Sequence, residues 1–262
     1  MSASPRSVAI GNIVVQTLVI VAFMAAWEMT ARMQFINPFL LPALSDVVVR
    51  IGKDIISGVV VVDLSLTLYR ALSGFAIAAL VGIPLGILMA RAAPFRWFFD
   101  PLISAGFPMP KIAFLPIFVL WFGLFDTSKI IMVAFSSVFP VVSAAYAGTQ
   151  GVSKWPLWSA RALGAKEREL LWEVILPMAL PQILTGLQIA LPVALITTVV
   201  TEMLMSGKGI GGTMINAGRF ADSVGVFAGI VEIAIVGIVV IRGVEYIRRR
   251  LLVWHAEARI EA

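Results

Sequence analysis

The sequence contains no cysteine, one histidine and few charged side chains. Without cysteine, the chain has no disulfide framework, no thiolate metal site and no cysteine nucleophile. Because His255 is its single histidine, a metal site built on two histidines of this chain is also excluded. Asp, Glu, Lys and Arg make up 13% of the residues, whereas a soluble domain has about 25%. So few charged groups cannot cover the surface of a soluble protein of this size.

The sequence is correspondingly rich in apolar residues. They form 60% of the 262 residues, and the mean hydropathy is +0.98. A helix needs about 20 mainly apolar residues to cross the hydrocarbon core of a bilayer. The sequence therefore predicts an all-α, polytopic membrane protein with about six transmembrane helices, over residues 7–27, 71–90, 101–125, 130–153, 174–201 and 225–241. The first stretch is long for a signal peptide, which favours a retained membrane anchor.

The distribution of lysine and arginine predicts the orientation in the membrane. Cytoplasmic loops carry the excess of these residues. With the N-terminus inside, twelve of them fall in inside segments and seven in outside segments, Lys111 being set aside. We therefore expect both termini in the cytoplasm. Topology accounts for much of the net charge of +5, so nucleic-acid binding is not needed to explain it.

The chain divides into three predicted parts. Residues 1–65 hold the anchor helix and an outer amphipathic segment, residues 66–251 form the core, and residues 252–262 form a cytoplasmic tail. In the outer segment, Ser45-Asp46 is typical of a helix start, and apolar residues then recur at helical spacing. We expect this helix to lie on the membrane surface or against the spans.

The inside loop 148–173 is too long to be a simple connection, since helical proteins usually join helices by about 2–8 residues. Trp155-Pro156 predicts the start of a short helix and Gly164 its end. A second, charged helix is predicted over residues 165–176. The short helix combines the apolar Trp158 and Leu163 with small residues that let another backbone approach, a composition typical of a docking helix. From composition alone, a solvated linker helix is an equal alternative.

The same loop contains Ser159-Ala160-Arg161-Ala162-Leu163-Gly164, followed at a set interval by Ile175-Leu176-Pro177. This pattern resembles the "EAA" loop of ABC importer permeases. Trp158 stands where the family usually has its glutamate, so a salt bridge from that position to an ATPase is in doubt, whereas the docking role is not. The resemblance implies an ATPase-coupling site made of Trp158, Ser159, Ala160, Arg161, Leu163, Gly164 and Pro177.

Further motifs, in the expected order, resemble the nitrate/sulfonate/taurine branch of that family. They are Pro108-Met109-Pro110, Leu120-Trp121-Phe122-Gly123, the stretch from Leu184 to Leu191, and Thr201-Glu202-Met203. The resemblance covers most of the chain, about residues 66–251. It implies the type I ABC importer permease fold in the cell inner membrane. It also implies transport of a small anion-like solute (sulfonate, taurine, nitrate or similar), with a thiamine-related pyrimidine as an alternative.

The resemblance also implies the partners. Such a permease works with two copies of a cytoplasmic ATPase that bind ATP and Mg²⁺, a second permease copy, and an extracytoplasmic binding protein. The sequence has no G-x-x-x-x-G-K-[ST] phosphate loop, so we expect no enzymatic activity and no cofactor in this chain. A homodimer is the simplest assembly because each chain carries one docking loop, and a heterodimer with a paralogue stays open.

Three charged residues are candidates for the transport pathway or gate. Lys111 lies in a proline-broken stretch and Glu232 in the sixth span, while Glu202 ends the fifth span, near the outer gate by resemblance. Local alternatives are an interfacial Lys111, a Glu202 that pairs nearby or caps the outer loop, and a Glu232 that is protonated or internally hydrogen-bonded. A rival function is a secondary transporter driven by an ion gradient, with Glu232 as its coupling acid.

Overall fold

The computed structural model describes residues 5–205 and 207–254, with side chains from residue 14 onward. Regular structure in these residues is helical, as predicted, with a 3₁₀ turn at Lys111–Phe114 and a π-helical stretch at Leu170–Ile175. The α-helices are α1 (Pro5–Arg32), α2 (Leu44–Ile56), α3 (Val59–Arg91), α4 (Ala93–Gly106), α5 (Leu115–Phe122), α6 (Asp126–Gln150), α7 (Lys154–Ala162), α8 (Glu167–Glu169), α9 (Leu176–Met205), α10 (Ile210–Arg219) and α11 (Ser223–Leu251).

The number of spans agrees with the sequence prediction. Among the described residues, five helical segments are long and apolar enough to cross a membrane: Val14–Arg32, Val59–Arg91, Asp126–Gln150, Glu167–Met205 and Ser223–Leu251. Ala93–Gly106 and Lys111–Phe122 are apolar enough only when taken together, and their axes are bent by 102°. Counted as one broken span, this pair brings the total to six. The long helices alternate in direction, so α7 lies at one face of the protein, here called the α7 face. We call the opposite face the α10 face.

The third span is not the single helix over residues 101–125 that the sequence predicts. It begins earlier, at Ala93, and breaks between Gly106 and Lys111. The break contains Pro108 and Pro110. Proline has no backbone N–H to donate and its ring clashes with the preceding turn, so two prolines in this short segment end the first helix.

The core of the protein is formed by α3, α6 and α9, with α6 in the middle. Small residues let these helices approach closely. A Cβ atom added at Gly86 of α3 would lie 2.6 Å from the Cβ of Ala145 in α6, and one added at Gly82 would lie 2.8 Å from Val141 Cγ1. The G-x-x-x-G spacing of these two glycines therefore serves helix packing.

Helix α3 extends three turns further toward the α10 face than the predicted span, which begins at residue 71. The sequence prediction placed Arg70 in an outer loop, because a charge was taken to end a span. Instead, Arg70 lies within α3 and is buried. The helix accommodates this charge because acidic residues of two other helices surround it, as described below.

The predicted amphipathic helix is α2. Its Val47 is fully buried, and Arg50 forms an ion pair with Asp222 at 2.7 Å, just before α11. Val48, Val49, Ile55 and Ile56 remain exposed. The helix thus packs against the spans on one side and presents apolar residues on another, which suits a position at the membrane boundary.

Candidate functional site

The predicted docking helix is α7, and its ends lie close to where the sequence places them. It begins at Lys154 and ends at Ala162, followed by Leu163 and Gly164. Gly164 has φ +90°, in the left-handed region that favours glycine. The N–H of Gly164 donates to the carbonyl of Arg161 at 3.0 Å, and that of Ala165 donates to Ala160 at 3.0 Å. These bonds close the last turn of the helix as a left-handed C-terminal cap does.

The surface of α7 carries large apolar side chains. Trp155 is 74% exposed, Trp158 54% and Leu163 90%. The two tryptophan rings contact each other edge to face, with 5.4 Å between their centroids. Ser159 is exposed beside them and Ala160 is half-buried, so the neighbouring backbone is accessible. Exposed apolar patches with small residues between them are typical of protein interaction sites.

The segment between α7 and the long helix α9 is not the single α-helix predicted over residues 165–176. One turn, α8, is followed by the π-helical stretch, in which Leu170 and Ile175 are buried. Pro177 then lies in the first turn of α9. Because proline cannot donate to a carbonyl one turn earlier, a locally wider helix is the physical result. The helical path is nevertheless continuous from Glu167 to Met205.

An ion cluster connects the end of α7 to the end of α3. One carboxylate oxygen of Glu167 lies 2.6 Å from Arg91 Nη2, at the end of α3, and the other lies 2.9 Å from Arg161 Nη2 of α7. Arg161 is therefore engaged within the chain. The sequence prediction grouped Arg161 with the surface of the coupling site and did not identify Glu167 or Arg91.

At the α10 face, Glu202 is fully buried in a second ion cluster. Its carboxylate accepts hydrogen bonds from Arg70 Nη1 at 2.6 Å, Thr67 Oγ1 at 2.9 Å and the Gly211 backbone N–H at 3.1 Å. Glu202 therefore pairs locally and also holds the start of α10. Its carboxylate is enclosed by α3, α9 and α10, with its polar atoms bound to the protein.

Arg70 and Asp63 complete this cluster. Arg70 forms an ion pair with Asp126 at 2.7 Å and donates to the Lys208 carbonyl at 2.7 Å. Asp63 accepts a hydrogen bond from the Gly209 N–H at 2.9 Å and one from the Thr213 hydroxyl. Sequence reasoning missed these residues, although an acid in an apolar helix requires a partner. Thr67 and Arg70, three positions apart on one helix face, were the available signal.

The other two pathway candidates lie outside this cluster. Lys111 Nζ donates to the Phe107 carbonyl at 2.7 Å and lies 5.1 Å from the Phe139 ring centroid, so its charge is satisfied at the break before α5. Glu232 lies near the middle of the predicted span over residues 225–241. In the structure it is the tenth residue of the longer helix α11, Ser223–Leu251, and so lies nearer the α10 face than the middle of that helix. The structure does not bring Lys111 and Glu232 together with Glu202.

Glu232 faces a small cavity of about 50 Å³, lined also by Arg50, Asp54 and Asp63. Its Oε1 atom is buried and has no hydrogen-bond partner in the part of the chain that the structure describes. The predicted internal hydrogen bond of this carboxylate is therefore not seen at Oε1. Within the same residues, no cluster of acidic or histidine side chains is arranged to hold a metal ion.

Comparison with solved structures identifies the fold. The inward-facing MetNI methionine ABC transporter matches with a TM-score of 0.67 at 15% identity, over 75% of this chain and 97% of the matched chain. At this identity the likeness shows the fold alone, and it confirms the predicted type I importer permease fold.

Sequence relatives cover nearly the whole chain. It is 35% identical to the taurine transport system permease protein TauC of Escherichia coli, over 90% of this chain and 88% of TauC. It is 33% identical to the putative aliphatic sulfonates transport permease protein SsuC of Bacillus subtilis (88% and 83%). It is 32% identical to the formylaminopyrimidine transport permease protein ThiX of Halalkalibacterium halodurans (91% and 94%). Residues 82–253 match the family described as "Binding-protein-dependent transport system inner membrane component". The chain belongs to this family of ABC transporter permeases.

Proposed function

We propose that this chain is the membrane subunit of an ATP-driven importer and that α7 docks onto a cytoplasmic ATPase. The observation that carries the proposal is the exposed apolar surface of α7, with Trp155, Trp158 and Leu163, next to a left-handed Gly164. The family membership supports the same reading. This assigns the α7 face to the cytoplasm, together with both termini, and the α10 face to the binding protein.

The single docking helix sets the proposed assembly. Each chain offers one α7, so two ATPases require two permease chains. A homodimer satisfies this with one type of chain and a symmetric arrangement. The ATPases hold ATP and Mg²⁺, and this chain contributes the passage and the docking surface.

Coupling follows from the short connection between α7 and the membrane helix α9. When two ATPases close on ATP, the two α7 helices are carried with them. The helical path from Glu167 to Met205 begins five residues after α7 ends at Ala162, so displacement of α7 reaches α9 through the segment that contains Gly164. Small shifts of packed helices are amplified into a switch between two packed states, here inward-open and outward-open.

The proposed solute is a small sulfonate such as taurine. Relatives named for taurine and aliphatic sulfonates support this class, and a relative named for formylaminopyrimidine supports the alternative of a thiamine-related pyrimidine. In this proposal the binding protein selects the solute. Isothermal calorimetry on the binding protein that works with this chain tests the class: taurine binding supports it, and binding of a pyrimidine without taurine contradicts it.

The substitution Gly164→Asp tests the docking role. A Cβ atom at position 164 meets nothing within 4 Å, but the φ of +90° is one that side-chain-bearing residues rarely adopt. The variant is therefore expected to insert but to lose uptake, because the new side chain strains the end of α7 and adds a carboxylate beside the docking surface. Gly52→Asp is the control for the added carboxylate: position 52 in α2 is equally open, has no positive φ and lies far from α7. Wild-type uptake by Gly164→Asp would overturn the docking assignment.

A further inference from the structure

We propose that Glu167 is a positioning residue that braces the docking helix α7 against α3, so that movement of α7 is passed to α3 as well as to α9. The proposal deepens the function proposed above and rests on it. The sequence motif gives no role to Glu167, because the residue lies after the glycine that ends α7.

The geometry places one carboxylate between two helices. The Oε2 atom of Glu167 lies 2.6 Å from Arg91, the last residue of α3, and Oε1 lies 2.9 Å from Arg161 in the last turn of α7. Charge-assisted bonds of this kind are short and directional. The Glu167 side chain is 63% exposed, so each contact is individually weak, but with both carboxylate oxygens engaged the two contacts together favour one separation of the two helix ends.

A brace is needed because the connection that follows α7 is weak. Gly164 has φ +90° and no neighbour within 4 Å of its added Cβ position. Glycine has more backbone freedom than any other residue, so α7 can pivot at this point when an ATPase pulls on it. A pivoting α7 would take up the displacement locally and leave the membrane helices in place.

Helix α3, which Glu167 contacts at Arg91, extends to the α10 face of the protein. From Arg91 to Arg70, α3 spans about 32 Å at 1.5 Å per residue. Arg70 forms the 2.6 Å ion pair with Glu202 at the α10 face. Glu167 therefore connects the docking helix, through one helix, to the buried ion cluster near the predicted outer gate.

The test is made with Glu167→Gln in the full assembly, with the ATPase and binding protein present. We expect the ATPase to copurify normally, and uptake per ATP hydrolysed to fall by roughly two- to fivefold, the range for loss of exposed ion pairs. Glu173→Gln is the matched control: Glu173 is exposed on the same segment, makes no ion pair among the described residues, and changes the charge equally. Unchanged coupling in Glu167→Gln would overturn the proposal.

A second measurement separates a brace from a docking contact. The chain has no cysteine, so in a permease treated before its partners are added, a short bismaleimide can react only at the introduced pair Arg91→Cys and Glu167→Cys. We expect coupling to be low before crosslinking and to recover after it, because the link restores the fixed separation. Loss of ATPase binding in Glu167→Gln, or no recovery on crosslinking, would overturn the brace while leaving the docking role of α7 intact. Wild-type protein without ATP-dependent uptake would contradict the proposed function itself.

Discussion

Arg70 and Glu202 lie 132 positions apart in the sequence and form an ion pair, with 2.6 Å between Arg70 Nη1 and Glu202 Oε1. The side chains are 4% and 0% exposed. Removing two charges from water is costly, and the cost is recovered only where further hydrogen bonds satisfy the remaining polar atoms. Thr67, the Gly211 N–H and the Lys208 carbonyl provide these bonds. The pair thereby locks α3, α9 and the start of α10 together.

Breaking this pair from one side is expected to destabilise the protein strongly. Glu202→Gln leaves the buried guanidinium of Arg70 with Asp126 as its remaining carboxylate partner, so the expected loss lies below the roughly 3–5 kcal/mol typical of a buried charge left without any partner. Thermal unfolding in detergent measures the loss. Asp46→Asn, at an exposed position, is the control and should unfold near the wild-type temperature. Equal midpoints for the two variants would show that the cluster contributes little.

The close contact between α3 and α6 predicts a second stability effect. Gly86→Ala places a Cβ atom 2.6 Å from Ala145 Cβ and from the Val142 carbonyl oxygen, and such overpacking costs about 1–3 kcal/mol. In α11, Gly237→Ala meets nothing within 4 Å and should be neutral or slightly stabilising. Unfolding midpoints of the two variants give the comparison, and an unshifted Gly86→Ala midpoint would contradict the packing account.

Glu232 is predicted to be dispensable for transport. Its Oε1 has no hydrogen-bond partner among the described residues, and Asp54 and Asp63 line the same cavity. Glu232→Gln removes a charge that is expensive to hold in a membrane helix, so we expect unchanged uptake and equal or greater thermal stability. Uptake assays at matched protein levels are the measurement. Complete loss of uptake by a normally folded variant would place Glu232 in the transport path.

The junction of α2 and α11 is predicted to weaken in acid. The Gly225 N–H and the Arg50 guanidinium hold the pKa of Asp222 below its ordinary value. The ionised form is therefore favoured in the folded protein. Its contribution to stability is complete at neutral pH, and it is lost as the pH falls below about 4 and through the lowered pKa. Thermal melting from pH 7 to pH 3 should show a smaller acid-induced drop for Asp222→Asn. Parallel curves for wild type and variant would contradict this.

Local signals made α7 predictable from the sequence. Pro156 marks the first turn of a helix and Gly164 its left-handed end, and both act within one turn of the backbone. The number of spans was equally accessible, because bilayer thickness fixes the length of an apolar run. The all-helical importer fold followed from the ordered motifs.

The charged clusters were not predictable in the same way. Arg70 was expected in a loop because a span was taken to end at a charge, whereas α3 continues to Val59. Its partner Glu202 is distant in sequence, so only packing brings them together. The 102° bend after α4 likewise depends on neighbouring helices. Pro108 and Pro110 indicate a break but not its direction.

The most direct test of the whole account is uptake into proteoliposomes that contain this chain and its ATPase, with the binding protein and labelled taurine outside. The account predicts uptake only when ATP is present inside the vesicles, on the side of the membrane where the ATPases bind it. It predicts none when ATP is absent and a proton or sodium gradient is imposed. Uptake driven by such a gradient without the ATPase would contradict the account and would favour a secondary transporter.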